Sequence, residues 1–146
     1  LKQFFPFILI AGIVGAAMFF LSDNYEEERF DPYYSFEERS MYWEYTVFLE
    51  DVSEEVPEIG VRLHFINENK KRDINALEFF VETDYGGFYY QDLDINDFNG
   101  EIIYTEPCDF CLSNGRLNVY GNIYINWREN DEIYSDWLHF HLRYDN

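Results

Sequence analysis

Basic residues are scarce in this chain, and their scarcity excludes the most. Lysine and arginine number 10 against 29 aspartates and glutamates, which leaves a net charge of −19. Phosphate backbones and anionic headgroups are held by clustered Lys and Arg. The one basic cluster here, Lys70-Lys71-Arg72, falls in a polar turn where solvation accounts for it. Nucleic acid is thereby excluded as a partner. Cysteine is nearly missing too: both residues lie in Cys108-Asp109-Phe110-Cys111, so no bridge joins distant strands. The chain has no Gly-x-Ser-x-Gly, no glycine loop that cradles phosphate and no His-Glu-x-x-His, and its carboxylate pairs are too numerous to diagnose a site. It reads as a non-enzyme. Beyond Leu21 no stretch sustains a helical period, so no soluble helix is expected.

What is present begins with a long uncharged run, Phe4 to Leu21, FFPFILIAGIVGAAMFFL. At about 1.5 Å of rise per residue it makes about 27 Å of helix, the hydrocarbon thickness of a thin bilayer. Pro6 falls in the first turn, where a missing N–H does little harm. Lys2 precedes the run, while Asp23, Glu26, Glu27 and Glu28 follow it. Positive flanks stay cytoplasmic, so a single-pass protein with an extracytoplasmic body is expected. The same run also reads as a secretory signal with Gly15-Ala16-Ala17 as its cleavage site, giving a secreted product. Residues 1–21 are therefore anchor or signal sequence, 22–40 an acidic stalk kept extended by charge repulsion, and 41–146 one extracytoplasmic domain. For the stalk an alternative stands, in which Phe30, Tyr33, Tyr34 and Phe36 pack onto the domain.

From Met41 the apolar period becomes two, and seven strands are expected. They are Met41 to Glu50, a strand with Val61, Leu63 and Phe65, one with Leu77, Phe79 and Val81, then Phe88 to Ile95, Glu101 to Thr105, Arg116 to Trp127 and Ile133 to Tyr144. Asp84-Tyr85-Gly86-Gly87, Asn99-Gly100 and Asn114-Gly115 supply turns between them. An aromatic content of 21% separates this acidic chain from disordered ones. The expected fold is mainly β, a seven-stranded antiparallel immunoglobulin-like sandwich preceded by the apolar helix.

The last two strands allow a finer reading. Leu117, Val119, Ile123, Ile125 and Trp127 share one parity, as do Leu138, Phe140, Leu142 and Tyr144. A turn centred on Glu129 to Glu132 brings the two faces together only if Ile123 faces Leu138, Val119 faces Leu142, and Gly121 lies under Phe140. The opposite face then carries Tyr120, Asn122, Tyr124, Trp137, His139, His141 and Arg143. Rings interleaved with amide, imidazole and guanidinium donors suit stacking on sugars or docking a protein, because rings supply area with little entropy loss. Strand propensity alone also favours Tyr and Trp in such positions.

Two constellations could hold a metal, although no cofactor is required. Cys108 and Cys111 have three outcomes open to them: a local disulfide, free thiols, or a metal or redox pair. With His139 and His141, which project from one strand face about 7 Å apart, they would complete a Cys₂His₂ set for Zn²⁺. Asp92, Asp94 and Asn96 alternate in a way that suits Ca²⁺, but the helix-loop-helix calcium pattern fails, with Asp97 where its glycine belongs and Ile103 where its final glutamate belongs.

The function expected is a membrane-anchored binding module for another envelope protein or glycan, working through the outer face of the terminal hairpin. An alternative comes from the plan as a whole, an apolar N-terminal helix carrying a β head, which resembles that of type IV pilins. It differs at Phe5, where mature pilins carry a glutamate. The resemblance implies a surface filament packed through its helices, with Gly12 and Ala16 allowing close approach.

Overall fold

The protein is described by a computed structural model that covers residues 30, 32, 34–50, 56–109, 111 and 116–145, the last segment without the side chains at 116, 117, 144 and 145. The apolar run from Phe4 to Leu21, with Gly12 and Ala16, lies outside the described residues, as does most of the expected stalk. Among the described residues no helix is long and apolar enough to cross a membrane.

The compact unit Pro32–Asn146 is a sandwich-like pair of antiparallel sheets. Its strands are β1 (Tyr34–Arg39), β2 (Trp43–Glu50), β3 (Glu58–Phe65), β4 (Ile74–Thr83), β5 (Gly86–Asp92), β6 (Glu101–Pro107), β7 (Arg116–Glu129) and β8 (Glu132–Asp145). One sheet has the order β1-β2-β3-β6 and the other β5-β4-β7-β8. The chain changes sheet between β3 and β4, between β5 and β6, and between β6 and β7.

Alternation dictates the core. Trp43, Tyr45, Val47 and Leu49 of β2, Ile59 to Phe65 at odd positions of β3, and Leu77, Phe79 and Val81 of β4 are all buried. Val119, Ile123, Ile125 and Trp127 of β7 and Leu138, Phe140 and Leu142 of β8 share the inner face of β4, and together these strands face β2 and β3. Each fully buried large side chain contributes about 1.5 to 3 kcal/mol, so the two inner faces suffice to hold the sheets together. Trp43 sits at the centre of one end, edge-on to Phe65 at 4.9 Å and to Trp127 at 5.5 Å between centroids. These tilted contacts suit the ring quadrupoles.

The terminal hairpin adopts the expected register. Ile123 pairs with Leu138, Val119 with Leu142 and Gly121 with Phe140, around a turn closed by Glu129 and Glu132. Asn130 takes a positive φ of 53° there, which its short polar side chain tolerates better than most.

Two expectations need correction, and one residue departs from the alternation. Among the described residues there are eight strands, not seven, and the additional one comes from the segment expected to be stalk: β1 pairs along β2, with Tyr34 opposite Leu49 and Phe36 opposite Val47. Both rings pack against the core, so the domain begins before Met41 and the stalk cannot extend through 34–40. The next strand to differ is β5, which ends at Asp92 rather than Ile95. There the Asp92 carboxylate accepts the Asp94 N–H at 3.2 Å, an Asx turn that takes the chain off the sheet, and Asp97 follows with a φ of 60°. Lastly, Phe48 has outward parity, yet it is fully buried, with its ring lying on Gly60 across the β2–β3 pair.

Candidate binding face

Because β4 lies between β5 and β7, the outer face of the second sheet is wider than the hairpin alone. Cross-strand pairing places Tyr89 beside Phe80, Phe80 beside Tyr124, and Tyr124 beside Trp137. One row of rings thus crosses all four strands. All four remain accessible, at 48% for Tyr89, 42% for Phe80, 40% for Tyr124 and 60% for Trp137, so no other described part of the domain covers the row. None of these rings stacks on another among the described residues, which leaves their faces available.

Hydrogen-bonding rows flank the rings on both sides. On one side the order is Gln91, Glu78, Asn126 and Ser135. Glu78 accepts from the Tyr89 hydroxyl at 2.7 Å, from Gln91 Nε2 at 3.0 Å and from Asn126 Nδ2 at 3.0 Å, while Ser135 donates to Asn126 Oδ1 at 2.7 Å. The bonds from Tyr89, Asn126 and Gln91 hold the Glu78 carboxyl below the ordinary carboxylate range, and the same carboxylate raises the Tyr89 hydroxyl. On the other side come Gly87, Glu82, Asn122 and His139. Tyr124 donates to Glu82 at 3.4 Å, and Asn122 Oδ1 lies 3.2 Å from His139 Nδ1. A shallow hollow of about 260 Å³ adjoins this side, lined by Glu82, Thr83, Asp84, Tyr120, Asn122 and His139.

The residues expected from the sequence fall into place as follows. Tyr120 stacks on His141 at 4.1 Å with planes 9° apart, and His141 Nε2 is 2.6 Å from Asn118 Oδ1. Asn122, Tyr124, Trp137 and His139 line the centre, and Arg143 lies at the far end opposite Asn118. Phe80, Tyr89, Glu78, Gln91 and Asn126 complete the face and were not anticipated. The outward parity of Glu78, Phe80 and Glu82 was visible in the sequence, but nothing local reveals that β4 pairs with β7.

The metal constellations fare differently. Cys108 and Cys111 form a disulfide, so their sulfurs cannot join His139 and His141 as thiolate ligands, and the Zn²⁺ set fails. Both cysteines are buried, and the Cys108 N–H donates to the Pro57 carbonyl at 2.8 Å, which ties the clip to the core. Asp94 and Asn96 lie in a turn beyond β5 rather than on alternating strand positions beside Asp92. Among the described residues no group of three His, Cys, Asp or Glu is placed to hold a metal ion.

A separate polar arrangement closes the seam between sheets. The Tyr45 hydroxyl donates at 2.7 Å to the carbonyl of His139, an outward-directed group of the edge strand β8. Burial, then the nearby Glu38 and Asp136 carboxylates, push this hydroxyl up to about 12. No protein-family model, no curated protein and no solved structure matches the chain.

Proposed function

We propose that this protein is a non-catalytic binding module of the cell envelope, held at the membrane by the apolar run Phe4 to Leu21 and recognising a protein or glycan through the outer face of β5-β4-β7-β8. The observation that carries this is the uncovered row Tyr89, Phe80, Tyr124 and Trp137. Exposed rings in a contiguous array are uncommon on a surface with no partner, and they supply binding area at low entropic cost. Glu78 strengthens the case, since three donors converging on one carboxylate fix Tyr89 and Asn126 before any ligand arrives. We also assign the domain to the immunoglobulin-like architecture, on the grounds that β2-β3-β6 opposite β8-β7-β4-β5, with its three changes of sheet, is a Greek-key order.

The test is sedimentation of the chain with its apolar run, in a detergent without a sugar headgroup, with envelopes isolated from the cells that make it. The chain should pellet with the envelopes. A Tyr124→Ala/Trp137→Ala variant should keep its melting temperature, because both side chains are exposed, and should stay in the supernatant. Equal pelleting of the variant would show that the site lies elsewhere.

A further inference from the structure

We infer that Asp136 and Tyr45 guard the free edge of β8 and so keep that strand from pairing with β8 of a second copy of the chain. The need for a guard comes from length. Of the other edge strands, β1 has six residues and β5 and β6 have seven each, and β6 stops at Pro107, which has no N–H to offer. β8 is an edge too, but it runs for 14 residues, about 46 Å at about 3.3 Å per residue. An open edge of that length is a template for another strand.

In an antiparallel pair the backbone groups of alternate residues point away from the neighbouring strand. His139 sets the phase in β8: its carbonyl turns from β7 to meet Tyr45, so the odd residues from Ile133 to Arg143 direct N–H and C=O outward. Two β8 strands laid antiparallel about a two-fold axis would set odd positions against odd ones. Each outward group in the overlap would then find a mate in the other copy.

Two contacts near the middle of the strand oppose this. The Tyr45 hydroxyl, reaching across from the other sheet, donates to the His139 carbonyl at 2.7 Å, and the Asp136 carboxylate accepts the Trp137 N–H at 2.8 Å. An arriving strand would have to displace both. Asp136 also occupies an inner position, opposite the buried Ile125, and its Oδ2 is buried with no hydrogen-bond partner among the described residues. A carboxylate oxygen shut off from water and left without a donor weakens a fold, so stability does not explain an aspartate at this place. Edge protection does. The residue is only half-buried, and a further strand laid along β8 would strip its charge of the water it still reaches, which is how an inward-pointing charge on an edge repels pairing.

The experiment uses the chain with its apolar run, in detergent and in about 1 M salt, where screening confines the repulsion between acidic copies to about 3 Å. Sedimentation velocity gives the state of assembly, and residue-resolved amide exchange locates any new pairing. In the native chain the outward His139 and His141 amides should exchange fast. Asp136→Ala should leave the melting temperature unchanged or raise it, since an unpartnered oxygen is removed. Asp136→Ala/Tyr45→Phe should sediment as a larger assembly than the native chain forms in the same detergent, with exchange of the His139 and His141 amides slowed about tenfold or more. Association through the apolar helices or the aromatic face would leave those amides fast, so a larger assembly without their protection would overturn the inference. A folded double variant that sediments and exchanges as the native chain does would overturn it too. So would a melting temperature that falls on Asp136→Ala, because the aspartate would then be a stabilising residue rather than a guard. Should the double variant fail to fold, Asp136→Ala alone carries the same reading, since it frees the Trp137 N–H and removes the charge.

Discussion

Alanine at Gly121 tests the packing of the terminal hairpin most directly. A methyl group added there would lie 2.3 Å from Phe140 Cζ, 2.5 Å from its Cε1 and 2.6 Å from the Glu82 carbonyl oxygen. Neither obstacle yields easily. Phe140 is fully buried, so its ring can swing aside only by displacing other core side chains, and the carbonyl belongs to the backbone of the paired strand β4. Forcing an extra methyl into such a space costs about 1 to 3 kcal/mol, and two simultaneous clashes place Gly121 at the upper end. Replacing glycine in a strand returns about 0.5 to 1 kcal/mol by restricting the unfolded chain, so the net loss should be about 2 kcal/mol. With a urea slope near 2 kcal/mol per molar, the unfolding midpoint should fall by about 1 M. Fluorescence of the buried Trp43 and Trp127 reports the transition. Removing the ring tip in a Phe140→Leu background should shrink the effect of Gly121→Ala, leaving mainly the carbonyl contact. A midpoint that does not move, or rises, would refute the close approach of glycine and ring.

Two further predictions concern the seam and the clip. The folded Tyr45 hydroxyl ionises near pH 12 instead of 10, so the stability linked to it is complete below pH 10 and is lost as pH rises toward 12. Tyr45→Phe should lower stability by about 1 kcal/mol at neutral pH through the lost bond to His139, and should flatten the alkaline decline in a pH series of urea melts. Cys108→Ala/Cys111→Ala opens a very short loop and should remove about 2 kcal/mol of closure entropy. The corresponding drop in Tm, by differential scanning calorimetry, is about 8 °C. An unchanged Tm would show that the clip does not restrain the unfolded chain.

The inner faces were legible in the sequence because side chains in a strand alternate with a period of two, and a tight turn fixes the offset between neighbours. That was enough to place Gly121 under Phe140 and Tyr124 beside Trp137. Two apolar residues do not make a period, however, so Tyr34 and Phe36, followed at once by Glu37, Glu38 and Arg39, read either as part of a charged stalk or as rings packed onto the domain, and the second holds. Their partners, Leu49 and Val47, lie beyond a turn, and the pairing shows only in the fold. The binding face was half visible for a related reason. β7 and β8 are adjacent in sequence, while β4 reaches β7 across two intervening strands, so Phe80 and Tyr89 gave no local sign of joining the row. Phe48 departs from the alternation rule, and the Gly60 opposite accounts for one side of its burial, since any side chain there would collide with the ring.

Strand propensity is the rival explanation for the aromatic row, and the molecule contains its own control. Both sheets have an outer face drawn from the same chain and the same strand-forming preferences. On the first sheet the corresponding rows read Arg39, Glu44, His64, Glu101, then Glu37, Thr46, Arg62, Ile103, then Ser35, Phe48, Gly60, Thr105, whose one ring, Phe48, is fully buried. There Arg62 makes an ion pair with Glu101 at 2.5 Å and Arg39 with Glu44 at 3.6 Å, and no large ring of these rows is exposed. If propensity alone placed aromatics, they would appear on both outer faces in similar measure. Four exposed rings in register occur instead on the second sheet, where polar neighbours fix Tyr89 and Tyr124 by hydrogen bonds rather than screening them. The asymmetry between the two faces therefore weighs toward selection for contact on one of them.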